Sequence, residues 1–129
     1  MAQGFLKKYL GEIRVISAGL SALIGRSADP IAVEVMAEKG IDISEHIAVN
    51  INIEQVRSSQ LILAMTREQC KRIEEIYPFA KGRVYQFIRD ESVDVLDPYK
   101  KGRTAFDFAF SQIEQGASRW LSAINQMKK

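Results

Sequence analysis

Gln60-Leu61-Ile62-Leu63-Ala64-Met65, followed by Thr66-Arg67-Glu68-Gln69, decides the fold class. The first six residues form a continuous apolar run bounded by polar residues. That is how a fully buried parallel strand reads. Thr66 and Gln69 then stand at capping-box spacing and open a helix running to about Tyr77, where Pro78 stops it. Downstream, Gly82-Arg83-Val84-Tyr85-Gln86-Phe87 reads as another strand. Upstream, Asn52 with Gln55 makes a second capping-box-like start, for a short helix.

Further out, Asp29-Pro30 is an N-cap followed by proline at the first helical position. The helix Ile31–Lys39 stops at Gly40, which suits the left-handed position after a helix end. Ile13-Arg14-Val15-Ile16-Ser17-Ala18 reads as a strand. Residues 2–10 read as a short helix ended by Gly11, with Phe5, Leu6, Tyr9 and Leu10 on one side. Residues 88–103 are polar and irregular and contain Asp97-Pro98-Tyr99. Thr104 and Asp107 start the last helix, whose apolar stripe is Phe106, Phe110, Ile113, Ala117, Trp120, Leu121 and Ile124, a 3.6-residue period. Strands alternating with helices imply right-handed crossovers and a parallel sheet covered on both faces. The fold class is therefore α/β, a three-layer sandwich with a parallel sheet. In such sheets ligands sit beyond the carboxyl ends of the strands.

The chain has 129 residues, read as one domain. It is 47% hydrophobic and 26% charged, which excludes intrinsic disorder. Eighteen Lys and Arg against sixteen Asp and Glu leave a formal charge of +2, which points to neither nucleic acid nor membrane as partner. No apolar run approaches the ~20 residues of a spanning helix. Met1-Ala2-Gln3-Gly4-Phe5-Leu6-Lys7-Lys8 has the wrong order for a secretory signal. The single cysteine, Cys70, suits a reducing cytoplasm.

Motifs for phosphate-loop NTPases, dinucleotide binding and nucleophile elbows are absent, and no cofactor is expected. Cys70 lies early in the 66–77 helix, where a helix N-terminus could lower its pKa. Its spacing with Ile73 and Ile76-Tyr77 is that of a core-facing residue, and the structural reading is preferred. His46 is the only histidine and has no neighbouring Cys, so a metal site is not expected. Lys7-Lys8, Lys100-Lys101 and Lys128-Lys129 read as solvated surface. Asp97-Pro98-Tyr99 reads as an Asp-Pro turn on spacing alone, though such a turn can hold a carboxyl group at a cleft rim for general-acid work.

Taken in order, the whole chain resembles the low-molecular-weight protein tyrosine phosphatases. The matching stretches are Met1-Ala2-Gln3-Gly4, Val15-Ile16-Ser17-Ala18-Gly19, Ala28-Asp29-Pro30, Gly40-Ile41-Asp42-Ile43-Ser44-x-His46, Leu61-Ile62-Leu63-Ala64-Met65 and Asp97-Pro98-Tyr99. The resemblance implies hydrolysis of phosphotyrosine in proteins through a phosphocysteine. Asp97 aligns with the general acid, Tyr99 with a substrate-binding aromatic at the cleft rim, and Ser17 with a serine that supports the phosphate-binding loop. Thr66 stands where many members carry Asp, Val49 where bacterial members often carry Arg, and Lys100 where some carry a second aromatic; these departures bear on substrate preference.

The family's loop, Cys-x5-Arg-Ser/Thr, is not found in residues 1–129. The position six residues before Arg26 is Leu20, and the position six residues after Cys70 is Ile76. The strand before that loop, central in the family's sheet between 13–18 and 60–65, is also not found. The expectation is a domain shortened at its N-terminus and inactive as given, whether through a misplaced start codon, a chosen boundary or a natural truncation. Strand edges left open predict self-association. Two alternatives are a non-catalytic binding module on the same fold and, ranked last because it needs several redox cysteines, an arsenate reductase relative.

Overall fold

The structure is a computed structural model that describes residues 1–11, 13–20, 27–88, 94–95, 98 and 101–127. In chain order the elements are α1 (Ala2–Tyr9), α2 (Pro30–Glu38), α3 (Ile53–Ser58), β1 (Ile62–Ala64), α4 (Arg67–Ile76), a 3-10 turn (Pro78–Ala80), β2 (Val84–Gln86) and α5 (Arg103–Met127).

Helix starts follow the side-chain chemistry that the sequence displays. Asp29 accepts the Ile31 N–H at 2.8 Å and Pro30 takes the first helical position of α2. Asn52–Gln55 and Thr66–Gln69 both close reciprocal capping boxes. Each satisfies backbone N–H groups that a helix start leaves without partners. After α2, Gly40 takes φ +76°, a conformation costly for a residue with a Cβ. Gly11 is not among the positive-φ glycines, and α1 ends at Tyr9 with Leu10 as its cap.

β1 and β2 pair in parallel, Ile62 with Val84 and Ala64 with Gln86. Ile62 N–H donates to Arg83 at 2.9 Å and Phe87 N–H to Ala64 at 2.7 Å. These bonds turn the peptide groups of Ile62 and Ala64 toward β2. Those of Leu63 then point to the opposite edge, where the described residues place no strand. Side chains alternate across the same strand. Leu61, Leu63 and Met65 pack on the main core, built by Phe5, Leu6, Val35, Met36, Phe110 and Ile113 among others. Val56, Ala64, Ile73 and Ala80 are buried outside that cluster, where α4 covers β1 and β2. Helices α1, α2 and α5 pack against one another on the main-core side, and three layers result.

Where the chain leaves β2 it packs closely on α5. A Cβ on Gly116 would lie 2.6 Å from Phe87 Cε1, so only glycine lets the helix approach this closely. Trp120 Nε1 donates to the Phe87 carbonyl at 2.6 Å. Arg103, at the start of α5, holds α2 through Glu34 at 2.7 Å and through Glu38, and bonds Asp107 at 3.1 Å. Arg83 reaches from the start of β2 to the Val56 and Ser59 carbonyls, 3.2 and 2.5 Å away, and so ties the end of α3 to the sheet.

Three sequence expectations are corrected. Residues 13–18 form no strand; nearby there is one isolated parallel bridge, Gly19 with Asn50. A strand is a ladder with a neighbour, and β propensity without one yields only extended chain. Tyr9 lies 55% exposed rather than inside, its ring 5.1 Å from Phe5. On α4 only Ile73 is fully inside, while Cys70 is half-buried and Ile76 is 50% exposed. The stripe of α5 is as expected: Phe106, Phe110, Ile113, Ala117 and Trp120 are buried.

Candidate functional site

A cavity of about 590 Å³ opens at the carboxyl end of β1. It lies between three pieces of chain: residues 17–20, residues 46–49 and the first turns of α4. Ser17, His46, Val49, Thr66, Gln69 and Arg72 line it. This is where a parallel α/β sheet places its ligands.

Each wall is held by identifiable bonds. The α4 wall is set by the capping box: Gln69 N–H donates to Thr66 Oγ1 at 3.1 Å, and Gln69 Oε1 accepts from Met65 and Thr66 N–H at 3.1 and 3.3 Å. On the facing wall Gly19 N–H donates to Val49 and Ile51 N–H to Gly19, both at 2.9 Å, which joins the two loop segments. Ser17 is half-buried and donates its hydroxyl proton to Gln3 Oε1 at 2.9 Å. The start of α1 thus reaches the same wall.

The segment after β2 crosses the end of β1. Val95 N–H donates to the Met65 carbonyl at 3.0 Å. Asp94 Oδ1 accepts from Arg67 N–H at 3.0 Å and from Gln86 Nε2 at 2.8 Å, which ties this segment to the start of α4 and to β2. Val95 is buried, and the Pro98 carbonyl accepts from Lys101 N–H at 2.9 Å. Asp97 and Tyr99 themselves lie outside the described residues.

His46 and Cys70 are now distinguishable. His46 lines the cavity, and burial pushes its pKa below the ordinary 6.5, with a second contribution from the positive amino group of Met1. A neutral imidazole is both donor and acceptor, which suits holding a polar loop. Cys70 is not among the lining residues. Burial raises its pKa, and the negative charges of Glu74 and Asp94 raise it further. A thiol held protonated is a poor nucleophile. This environment, rather than helix position, weighs against a reactive Cys70.

Among the described residues no cluster of three or more His, Cys, Asp or Glu could hold a metal ion, and no helix is long and apolar enough to cross a membrane. Of the residues here, the sequence reading singles out Ser17 for the site; it does not place His46 and Arg72 in the same cavity, nor Gln3 behind Ser17. An isolated polar residue announces no partner by itself; those of Gln3 lie 12 and 14 positions away.

The fold and this cavity define an α/β protein with its site at the end of a parallel strand. The profile of the family described as low molecular weight phosphotyrosine protein phosphatase matches residues 1–129. The probable low-molecular-weight protein-tyrosine-phosphatase EpsP of Ralstonia nicotianae is 42% identical over 127 residues, covering 98% of this chain and 88% of EpsP. Wzb of Escherichia coli K12, named a low-molecular-weight protein-tyrosine-phosphatase, is 36% identical over 125 residues, 96% of this chain and 85% of Wzb. The structure of Vibrio vulnificus Wzb in complex with benzylphosphonate superposes with a TM-score of 0.89 at 30% identity, covering 95% of this chain and 87% of that one. The chain belongs to the low-molecular-weight protein tyrosine phosphatase family.

Proposed function

We propose that residues 1–129 form a single domain that serves as the scaffold and acid half of a cytoplasmic phosphotyrosine-protein phosphatase. The observation that carries this reading is the cavity at the end of β1, with Ser17 on its wall and Val95 anchored to Met65 at its edge. In the family reaction a loop cysteine attacks phosphorus and the phenolate of tyrosine leaves. Asp97 protonates that phenolate and, in the second step, takes a proton from the water that frees phosphate. Tyr99 flanks the substrate ring, and Ser17 holds the loop that cradles the phosphate. The benzylphosphonate bound to Vibrio Wzb is an aryl-bearing phosphonate, in keeping with this substrate class. Residues 1–129 contain no Cys-x5-Arg, so alone they are inactive.

The acid role is tested with the family's strand and loop placed before Met1. Asp97→Asn should then lower kcat by roughly 10²–10⁴ for poor leaving groups and much less for good ones, which need little protonation. Equal, near-zero losses for both would return Asp97 to a plain turn residue.

The Leu63 edge of β1, which has no strand beside it among the described residues, supports a second property, self-association of residues 1–129 by strand pairing or element exchange. Light scattering after size-exclusion chromatography at micromolar concentration should give a mass above 14.6 kDa. A folded monomer with a cooperative thermal transition would refute it.

A further inference from the structure

Gln3 makes a side-chain contact behind the cavity wall to which the sequence assigns no role. Its Nε2 donates to the Val15 carbonyl at 3.2 Å, and its Oε1 accepts from Ser17 Oγ at 2.9 Å. The orientation of the carboxamide follows from chemistry. A backbone carbonyl can only accept, so the end facing Val15 is the NH₂ group. The end facing Ser17 is then the carbonyl oxygen, which also can only accept. Ser17 has one hydroxyl proton, and it is committed to Gln3. What Ser17 keeps for the cavity it lines is its lone pairs.

We propose that Gln3 is a positioning residue that fixes the hydrogen-bond polarity of Ser17. With its proton committed, Ser17 acts toward the cavity as an acceptor. It seats N–H donors of the phosphate-binding loop and offers no proton to the cysteine thiolate. This rests on the phosphatase reading only in naming the loop as what Ser17 meets; the Gln3 bonds stand on their own geometry. A rival role is a plain staple from α1 to residues 15–17, which would need the Val15 bond as much as the Ser17 bond.

Two substitutions separate the roles. Gln3→Glu keeps an acceptor oxygen for Ser17 and loses the donor to Val15. Gln3→Met loses both at similar length. In ¹⁵N-labelled residues 1–129, the Gln3 carboxamide should show two well-separated proton resonances with slowed exchange. Ser17→Ala should shift both. A fast-exchanging, averaged pair like that of a free side chain overturns the bonding geometry. With the strand and loop placed before Met1, Gln3→Met should weaken inhibition by inorganic phosphate about fivefold, the factor one net hydrogen bond is worth. It should also shift the pH profile of cysteine inactivation by iodoacetate to lower pH, because the released Ser17 proton can turn to the thiolate. Gln3→Glu should stay near the parent in both. Equal effects of Glu and Met, or an inactivation profile that does not move, make Gln3 a staple and overturn the proposal. An unsubstituted loop-bearing chain without activity defeats the phosphatase reading and with it the role of Ser17, while the carboxamide resonances still decide the Gln3 bonds.

Discussion

The two walls of the cavity are built in different ways. On one side β1, α4 and β2 form a closed local system. The strands pair with each other, Thr66 and Gln69 cap the helix, and Ile73 and Ala64 are buried beneath it. On the other side residues 13–19 carry as strong a β pattern and yet form no strand. They are held by one bridge to Asn50 and by the carboxamide of Gln3. Side-chain pattern selects which face a strand would bury, but the ladder itself needs a neighbouring backbone. Where that neighbour is near in sequence, pattern and structure coincide. Where it is not, a single side chain substitutes for part of the ladder.

The largest expected effect falls just after β2, where the sheet meets the main core and α5. Phe87 is 1% exposed and wedged against Gly116. Phe87→Ala should cost about 3–5 kcal/mol in urea unfolding, the range for emptying a packed aromatic site. Val15, half-buried on the other side, should cost about 1 kcal/mol as Val15→Ala, a partial loss of buried methyl groups. Similar costs for the two would mean that residues 13–19 are as integral to the core as the sheet, and the contrast would fail.

A smaller effect sharpens the comparison through pH. The folded-state pKa of His46 lies below 6.5, so the unfolded chain binds the proton more readily. The contribution of His46 to stability is present above about 6.5, the unfolded value, and declines as pH falls through that value toward the folded one. The thermal midpoint should therefore fall between neutral and mildly acidic pH, and His46→Gln should flatten that limb. An unchanged slope in the variant would assign the acid sensitivity to other groups.

Much of this fold is legible in the residues. Capping boxes at Asn52–Gln55 and Thr66–Gln69, the Asp29-Pro30 start and the Gly40 stop are local signals, each complete within a few positions, and each is formed. The stripe of α5 is equally local. The strand at 13–18 is misread because its partner is not local. Tyr9 and Ile76 are misplaced because periodicity gives a direction around a helix, not the edge of the surface that covers it. For the site, the resemblance points to Ser17, which lines the cavity. Gln3 and His46 lie in matching stretches but carry no role there, since a polar residue gains meaning only from groups that folding brings to it. Cys70 is the converse case: its sequence position permits either a reactive or an inert thiol, and the surrounding burial and the acids Glu74 and Asp94 raise its pKa, away from a reactive thiolate.

Under the proposed function, residues 1–129 carry a phosphatase scaffold whose own cysteine is not the nucleophile. Hydrolysis of p-nitrophenyl phosphate by purified residues 1–129 at mildly acidic pH tests this most directly. The predicted result is release of nitrophenol no faster than a buffer blank, unchanged by Cys70→Ser. Turnover well above the blank that Cys70→Ser abolishes would contradict it and make Cys70 the nucleophile.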